Sequence, residues 1–120
     1  MNKNYFFSKK LRLLNYVDIN KVYKNHSFFR IKAFQMIILS RLSYLEYPRL
    51  CINISKKYIK LSCDRNRIKR LVRESFRKLQ YDLIKMDYII LFTSNISNIS
   101  NIILNRNLGN LWNYYVFPNY

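Results

Sequence analysis

Between Asp64 and Gln80 the chain reads DRNRIKRLVRESFRKLQ, with seven lysines and arginines in seventeen residues. At that density guanidinium and ammonium groups do one kind of chemistry well. They hold phosphate oxygens, arginine through a fork of paired N–H donors and lysine as a point charge. At helical spacing Ile68, Leu71, Val72, Ser75, Phe76 and Leu79 form one stripe, while Asn66, Arg70, Arg73 and Arg77 stack on the opposite face. The spacing predicts a helix, extending to about Ile84, with an apolar stripe for a core and a basic stripe for a polyanion. Asp64 is the expected N-cap, because its carboxylate can accept from the free N–H groups of the first turn. Arg65 and Arg67 follow at the end where the helix dipole already places positive charge, an arrangement costing about 0.3 to 1 kcal/mol per cation. Stability does not favour that order; a bound phosphate does. A merely solvated face would balance its charges, yet Glu74 is the only acid between Arg65 and Gln80 and can pair with just Arg70 or Lys78. The pattern fits a nucleic-acid binder.

Cutting RNA is a different matter. A protein ribonuclease needs clustered carboxylates to hold metal ions, or a positioned acid and base such as paired histidines. This chain has one histidine, His26, and six acids, Asp18, Glu46, Asp64, Glu74, Asp82 and Asp87, scattered along its length. With Gly109 its single glycine, a glycine-rich phosphate loop is excluded. Cys51 and Cys63 lack C-x-x-C spacing and read as reduced structural thiols. The residues therefore offer no catalytic group and no metal-binding motif, and point to binding.

The 120 residues suit one domain, 1–120, with a modest core. A net charge of +16 combined with 50% hydrophobic residues describes a folded and strongly positive protein, whose field attracts nucleic acid or an anionic membrane surface. Abundant Asn, Ile, Lys, Tyr and Phe also fit AT-rich coding, so arginines carry more weight here than lysines. No run of about 18 apolar residues is present, and YFFSKKLRLL lacks the apolar core and cleavage site of a signal peptide. The expectation is a cytoplasmic protein with no membrane partner and no obligate protein partner.

Several elements would position the basic helix. Residues 15–25 begin at a capping residue, Asn15, and set Tyr16, Ile19, Val22 and Tyr23 on one side of a short helix, packed against the core. Phe34 to Leu42 reads as one strand, and Arg49 to Ser55 as another, with Leu50, Ile52 and Ile54 facing one way and Cys51, Asn53 and Ser55 the other. Lys56, Lys57 and Lys60 make a basic link into the arginine helix. Asp87 to Thr93 is a buried strand. Ile99, Ile102, Ile103, Leu108, Leu111 and Trp112 outline a last helix. The order predicts an α+β or split βαβ layering of sheet against helices.

RNRIKRLVRESFR at 65–77 closely resembles the arginine-rich signature of the bacterial ribonuclease P protein component. PRLCINISKK at 48–57, FSKKLRLLNYVDINKVYKN at 7–25 and MDYIILF at 86–92 resemble the family's flanking segments in the same order. The resemblance implies a single α+β domain with a roughly four-stranded sheet and a ribosomal-protein-like fold. The arginine helix would lie in a left-handed crossover, against the right-handed default. It implies removal of the 5′ leader from precursor tRNA, with the chemistry and its Mg²⁺ belonging to a large catalytic RNA subunit. Lys56, Lys57, Arg65, Asn66, Arg67, Lys69, Arg70 and Arg73 would contact that RNA. Ile19, Tyr23 and Asn53 would line a cleft for the leader, where aromatic rings stack on unpaired bases. Ile19 departs from the family's aromatic, Cys51 from its usual glycine and Asn53 from a small hydroxyl residue, and all three changes alter the cleft. The alternative is a basic ribosomal-type structural RNA-binding protein. A helix-turn-helix regulator is disfavoured, since no second helix precedes residues 65–80 by three or four positions.

Overall fold

The computed structural model describes residues 5–24 and 30–116. A 3-10 turn at Lys9–Leu11 precedes helix α1 (Tyr16–Lys24), strands β1 (Arg30–Ala33), β2 (Met36–Leu42) and β3 (Arg49–Asn53), helix α2 (Ser62–Leu79), strand β4 (Met86–Phe92) and helix α3 (Asn101–Trp112). The sheet order is β1-β2-β4-β3, with β4 antiparallel to β2 and parallel to β3. A parallel pair needs a long crossover, and α2 is that crossover.

Alternate residues sort the strands between two layers. Met36, Ile38, Leu50, Tyr88, Ile90 and Phe92 face α2 and α3, while Ile37, Leu39, Cys51, Ile89 and Leu91 face α1 and Leu13. Strands β2 and β4 are thus covered on both faces, which is why their sequences are nearly unbroken apolar runs. On the α2 side Phe76, Tyr88 and Trp112 meet edge to face with ring centroids 5.5–6.2 Å apart. Ser75, the polar residue of the apolar stripe, accepts from Trp112 Nε1 at 3.0 Å and donates to the Val72 carbonyl at 2.8 Å. Tyr88 donates to the Ile84 carbonyl, and burial pushes its hydroxyl well above the usual tyrosine range.

Some elements differ from expectation. The strand expected over Phe34 to Leu42 is present as β2 from Met36, but Phe34 and Gln35 turn the chain at φ 55° and 64° from an unanticipated strand, β1. Two-residue turns of this kind favour Asn-Gly, so Phe-Gln gives no signal. Helix α2 starts before Asp64, which becomes a first-turn acid rather than the N-cap; Leu61 holds that position without a side-chain bond. It also stops at Leu79 rather than near Ile84, because Leu83 must turn to pair with Val116 and Ile84 N–H donates to the Tyr115 carbonyl. In α3 the buried stripe is Leu104, Leu108, Leu111 and Trp112, with Ile102 and Ile103 exposed. Asn15 caps α1 as expected, accepting from Val17 N–H at 2.8 Å. Tyr16 does not join the core: it is the first residue of α1 and is 75% exposed. Asn25 and His26 fall outside the described residues.

Phe76 has no exposed surface at the centre of the aromatic cluster. Phe76→Ala is expected to cost about 3 to 5 kcal/mol, read as a fall in the urea midpoint at constant slope.

Candidate nucleic-acid interface

The polar side chains of the signature in α2, from Arg65 to Arg73, divide into two sets. Asn66, Arg70 and Arg73 lie on the exposed face, with Lys69 half-buried beside them. Arg65 and Arg67 turn back onto the protein. Arg65 Nη1 donates to the carbonyls of Ile59 and Lys60 at 2.9 and 2.7 Å, pinning the segment that leads from β3 into the helix. Arg67 donates to the Ser97 carbonyl at 2.9 Å, the Ile99 carbonyl at 3.2 Å and Asn101 Oδ1 at 2.6 Å, tying α2 to the start of α3. A guanidinium has five N–H donors, so these ties fix the two side chains without consuming every donor. Lys56 and Lys57 are exposed in the turn after β3, where Lys57 Nζ sits 5.4 Å from the Tyr58 ring centroid.

On the other layer, α1 lies across the sheet face. Ile19 and Tyr23, both half-buried, pack with Cys51 against Leu13, Val22, Ile37, Leu39 and Ile89. The Tyr23 hydroxyl accepts from Asn53 Nδ2 at 2.8 Å, so the three expected cleft residues come together, with Asn53 positioning the ring. Cys51 forms part of the floor, and burial raises its thiol pKa above the ordinary value.

Strand β3, at the sheet edge, joins the two sets. The N-terminal segment runs beside it: Arg12 bridges to Leu50, and Leu13 N–H donates to the Leu50 carbonyl at 2.9 Å. A depression of about 240 Å³ opens there, lined by Arg12, Leu14, Cys51, Ile52, Lys69 and Arg73. It runs from the cleft floor to the exposed face of α2, flanked by three cations. Sequence reasoning did not single out Arg12 or Leu14. The available signal was the alternation of cationic and apolar residues in KKLRLL, which becomes informative only once that segment is known to border β3.

Together these features define a small, basic α+β protein in which a cationic helix and the face carrying Ile19, Tyr23 and Cys51 flank one edge strand. The chain belongs to the bacterial ribonuclease P protein family: the family model described as Ribonuclease P matches residues 7–116. It is 40% identical over 111 residues to the ribonuclease P protein component of Buchnera aphidicola subsp. Baizongia pistaciae, covering 92% of this chain and 96% of the relative. With that of Baumannia cicadellinicola it shares 44% over 109 residues, 91% and 93% of the two chains. The fold resembles the Staphylococcus aureus RNase P protein with a TM-score of 0.80 at 23% identity, covering 90% of this chain and 98% of that one. For the Thermotoga maritima RNase P protein the TM-score is 0.75 at 23% identity, with 88% and 98% covered. The chain is accordingly a protein component of an endoribonuclease complex that processes tRNA.

The two sets of arginines should respond differently to truncation. Arg67→Ala removes charge-assisted bonds to three acceptors and is expected to destabilise the fold by about 1 to 3 kcal/mol. Arg70→Ala should change stability by no more than about 0.5 kcal/mol. Urea denaturation of the two variants measures the contrast.

Proposed function

We propose that this chain is the RNA-binding subunit of ribonuclease P, holding the catalytic RNA on the basic side of α2 and the 5′ leader of precursor tRNA in the cleft under α1. The observation that carries this reading is the meeting of both surfaces at β3, through the depression flanked by Arg12, Lys69 and Arg73. Phosphates of the catalytic RNA would be held by Asn66, Lys69, Arg70 and Arg73, with Lys56 and Lys57 nearby. Arg65 and Arg67 would contribute their remaining donors and the order they impose on neighbouring loops.

In the cleft, Tyr23 would offer its ring to an unpaired base while Asn53 holds its hydroxyl. Ile19 supplies apolar contact without an aromatic face. The chemistry is assigned to the RNA subunit and the Mg²⁺ it carries. Among the described residues no three His, Cys, Asp or Glu side chains gather into a group able to hold a metal; the part proposed for this chain is to bind and orient RNA. No helix of the described residues is long and apolar enough to cross a membrane. The proposed site of action is the cytoplasm.

A cleavage assay on precursor tRNA, with protein alone, RNA alone and both, tests the function. Cleavage at low Mg²⁺ that requires both components is the expected outcome. Copurification of ribosomal RNA in place of one structured RNA of a few hundred nucleotides would favour the ribosomal-type alternative. Arg70→Ala with Arg73→Ala should weaken binding to the catalytic RNA and flatten log K against log[salt] by roughly one unit for each phosphate no longer held.

Tyr23→Ala should act on the leader alone. Its expected cost is about 1 to 3 kcal/mol of affinity for precursor tRNA in the assembled particle, with leaderless tRNA unaffected. Equal losses for the two RNAs would place Tyr23 outside the leader site.

A further inference from the structure

Beyond the C-terminal end of α2 lies a cavity of about 520 Å³ that neither the cleft nor the basic face of α2 shares. Its walls come from the 3-10 turn at Lys9–Leu11, the 43–48 connection between β2 and β3, and the residues after α2. Lys10, Tyr44, Glu46, Tyr47, Tyr81 and Lys85 all line it. The volume lies within the roughly 300 to 1,000 Å³ of small-molecule sites. We propose that this cavity binds an unpaired nucleotide of an RNA strand, with the base against the tyrosine rings and the phosphate on Lys10 and Lys85. The inference rests on the reading that the protein works on RNA, and it adds a second contact region one helix away from Arg65 and Arg67. The 18 residues of α2 span about 27 Å.

Three observations point to a nucleotide. The first is conformational. Tyr44 is held at φ 61° with 89% of its surface exposed. A bulky residue in the left-handed region costs of order 1 to 3 kcal/mol, and here it keeps a large ring uncovered. The Ser43 hydroxyl accepts from Leu45 N–H at 3.4 Å across the same turn.

The second observation is the pairing of rings with cations. Lys10 Nζ lies 5.2 Å from the Tyr47 ring centroid, and Tyr81 is braced edge to face by Tyr5 at 5.2 Å. Braced rings beside ammonium groups are what single-stranded RNA requires, since every base has a π-face and every nucleotide a phosphate.

The third is the mixed charge of the walls. Two ammonium groups and the Glu46 carboxylate suit a ligand that carries both an anion and N–H donors, and a nucleotide presents both through its phosphate and the Watson–Crick edge of its base.

The test uses the full-length chain and a fluorescently labelled penta-adenylate, with binding followed by anisotropy in an Arg70→Ala/Arg73→Ala background so that the basic face of α2 does not mask the cavity. Tyr44→Ala should weaken binding about 5- to 150-fold, the range for loss of one base stack. Lys10→Ala with Lys85→Ala should flatten log K against log[salt] by about 0.7 per phosphate released. Tyr44→Gly separates binding from folding, because glycine adopts φ 61° freely. It should lose the same affinity with an unchanged or higher melting temperature.

Unchanged affinity in both the tyrosine and lysine variants overturns the proposal. Two further arms identify the source of the nucleotide, Tyr44→Ala being compared with the parent chain for binding of the catalytic RNA and, in the assembled particle, of precursor tRNA. The RNA whose affinity falls supplies it, and no loss for either RNA overturns the proposal for the particle. Because the penta-adenylate measurement uses no catalytic RNA, its failure is distinct from failure of the cleavage assay.

Discussion

Asp87 enters the middle of the sheet as a buried carboxylate, and nearly everything around it is arranged to keep that charge paired. Arg49, its partner in the parallel register of β3 and β4, grips it with two bonds: Nε to Oδ1 at 2.7 Å and Nη2 to Oδ2 at 2.6 Å. Its Nη1 also reaches Asp18 of α1 at 3.3 Å. The hydrogen bonds that Arg49 donates to Asp87 raise its pKa above the ordinary value despite partial burial. A slip of β3 by one residue would move Arg49 to the other face and leave Asp87 unpaired, and breaking a buried pair costs about 3 to 5 kcal/mol. This one guanidinium therefore fixes the edge strand and anchors α1 over the sheet. The alignment of Tyr23 with Asn53 depends on both.

The same economy governs the remaining charge. Asp18 and Asp87 are absorbed by Arg49, and Asp64 lies in the first turn of α2, where the dipole welcomes it. Arg65 and Arg67 neutralise carbonyl dipoles of the loops flanking the helix. Among the exposed cations, Arg12, Lys56, Lys57, Arg70 and Arg73 lie near the β3 edge, in the turn beyond it and on the outer face of α2. An arginine-rich signature thus serves two ends: part of it holds the loops in place, and part of it faces out.

The two periodicities were legible from the chain. The 3.6-residue stripe of α2 predicted Ile68, Leu71, Val72 and Phe76 as buried, and the alternation in β3 assigned Leu50 and Cys51 to opposite faces. Both features are local, and side-chain chemistry alone sets them. What stayed hidden was set by tertiary partners. The Phe34–Gln35 turn has no turn-forming residues and is held in part by Thr93 N–H donating to the Gln35 carbonyl. The C-terminal end of α2 follows from pairings with Tyr115 and Val116 far along the chain. In the candidate site, the resemblance to the family grouped Tyr23 with Asn53, but their hydrogen bond, 30 residues apart in sequence, was not legible. The inward turn of Arg67 was equally hidden, since a sequence shows that an arginine lies off the apolar stripe and not which carbonyl lies within its reach.

The placement of β4 between β2 and β3 bears on how the chain acquires its shape during synthesis. The central strand is the last to be made, so β2 and β3 wait with open edges while α2 is translated. The pairings that complete the sheet are far apart in sequence, a topology that folds slowly and exposes strand edges meanwhile. Positive charges at one end of β2, Arg41, and on either side of β3, Arg49 and Lys56, oppose edge-to-edge association of nascent copies. Arg49, which holds Asp87 in the finished protein, thus also helps to keep the unfinished chains apart.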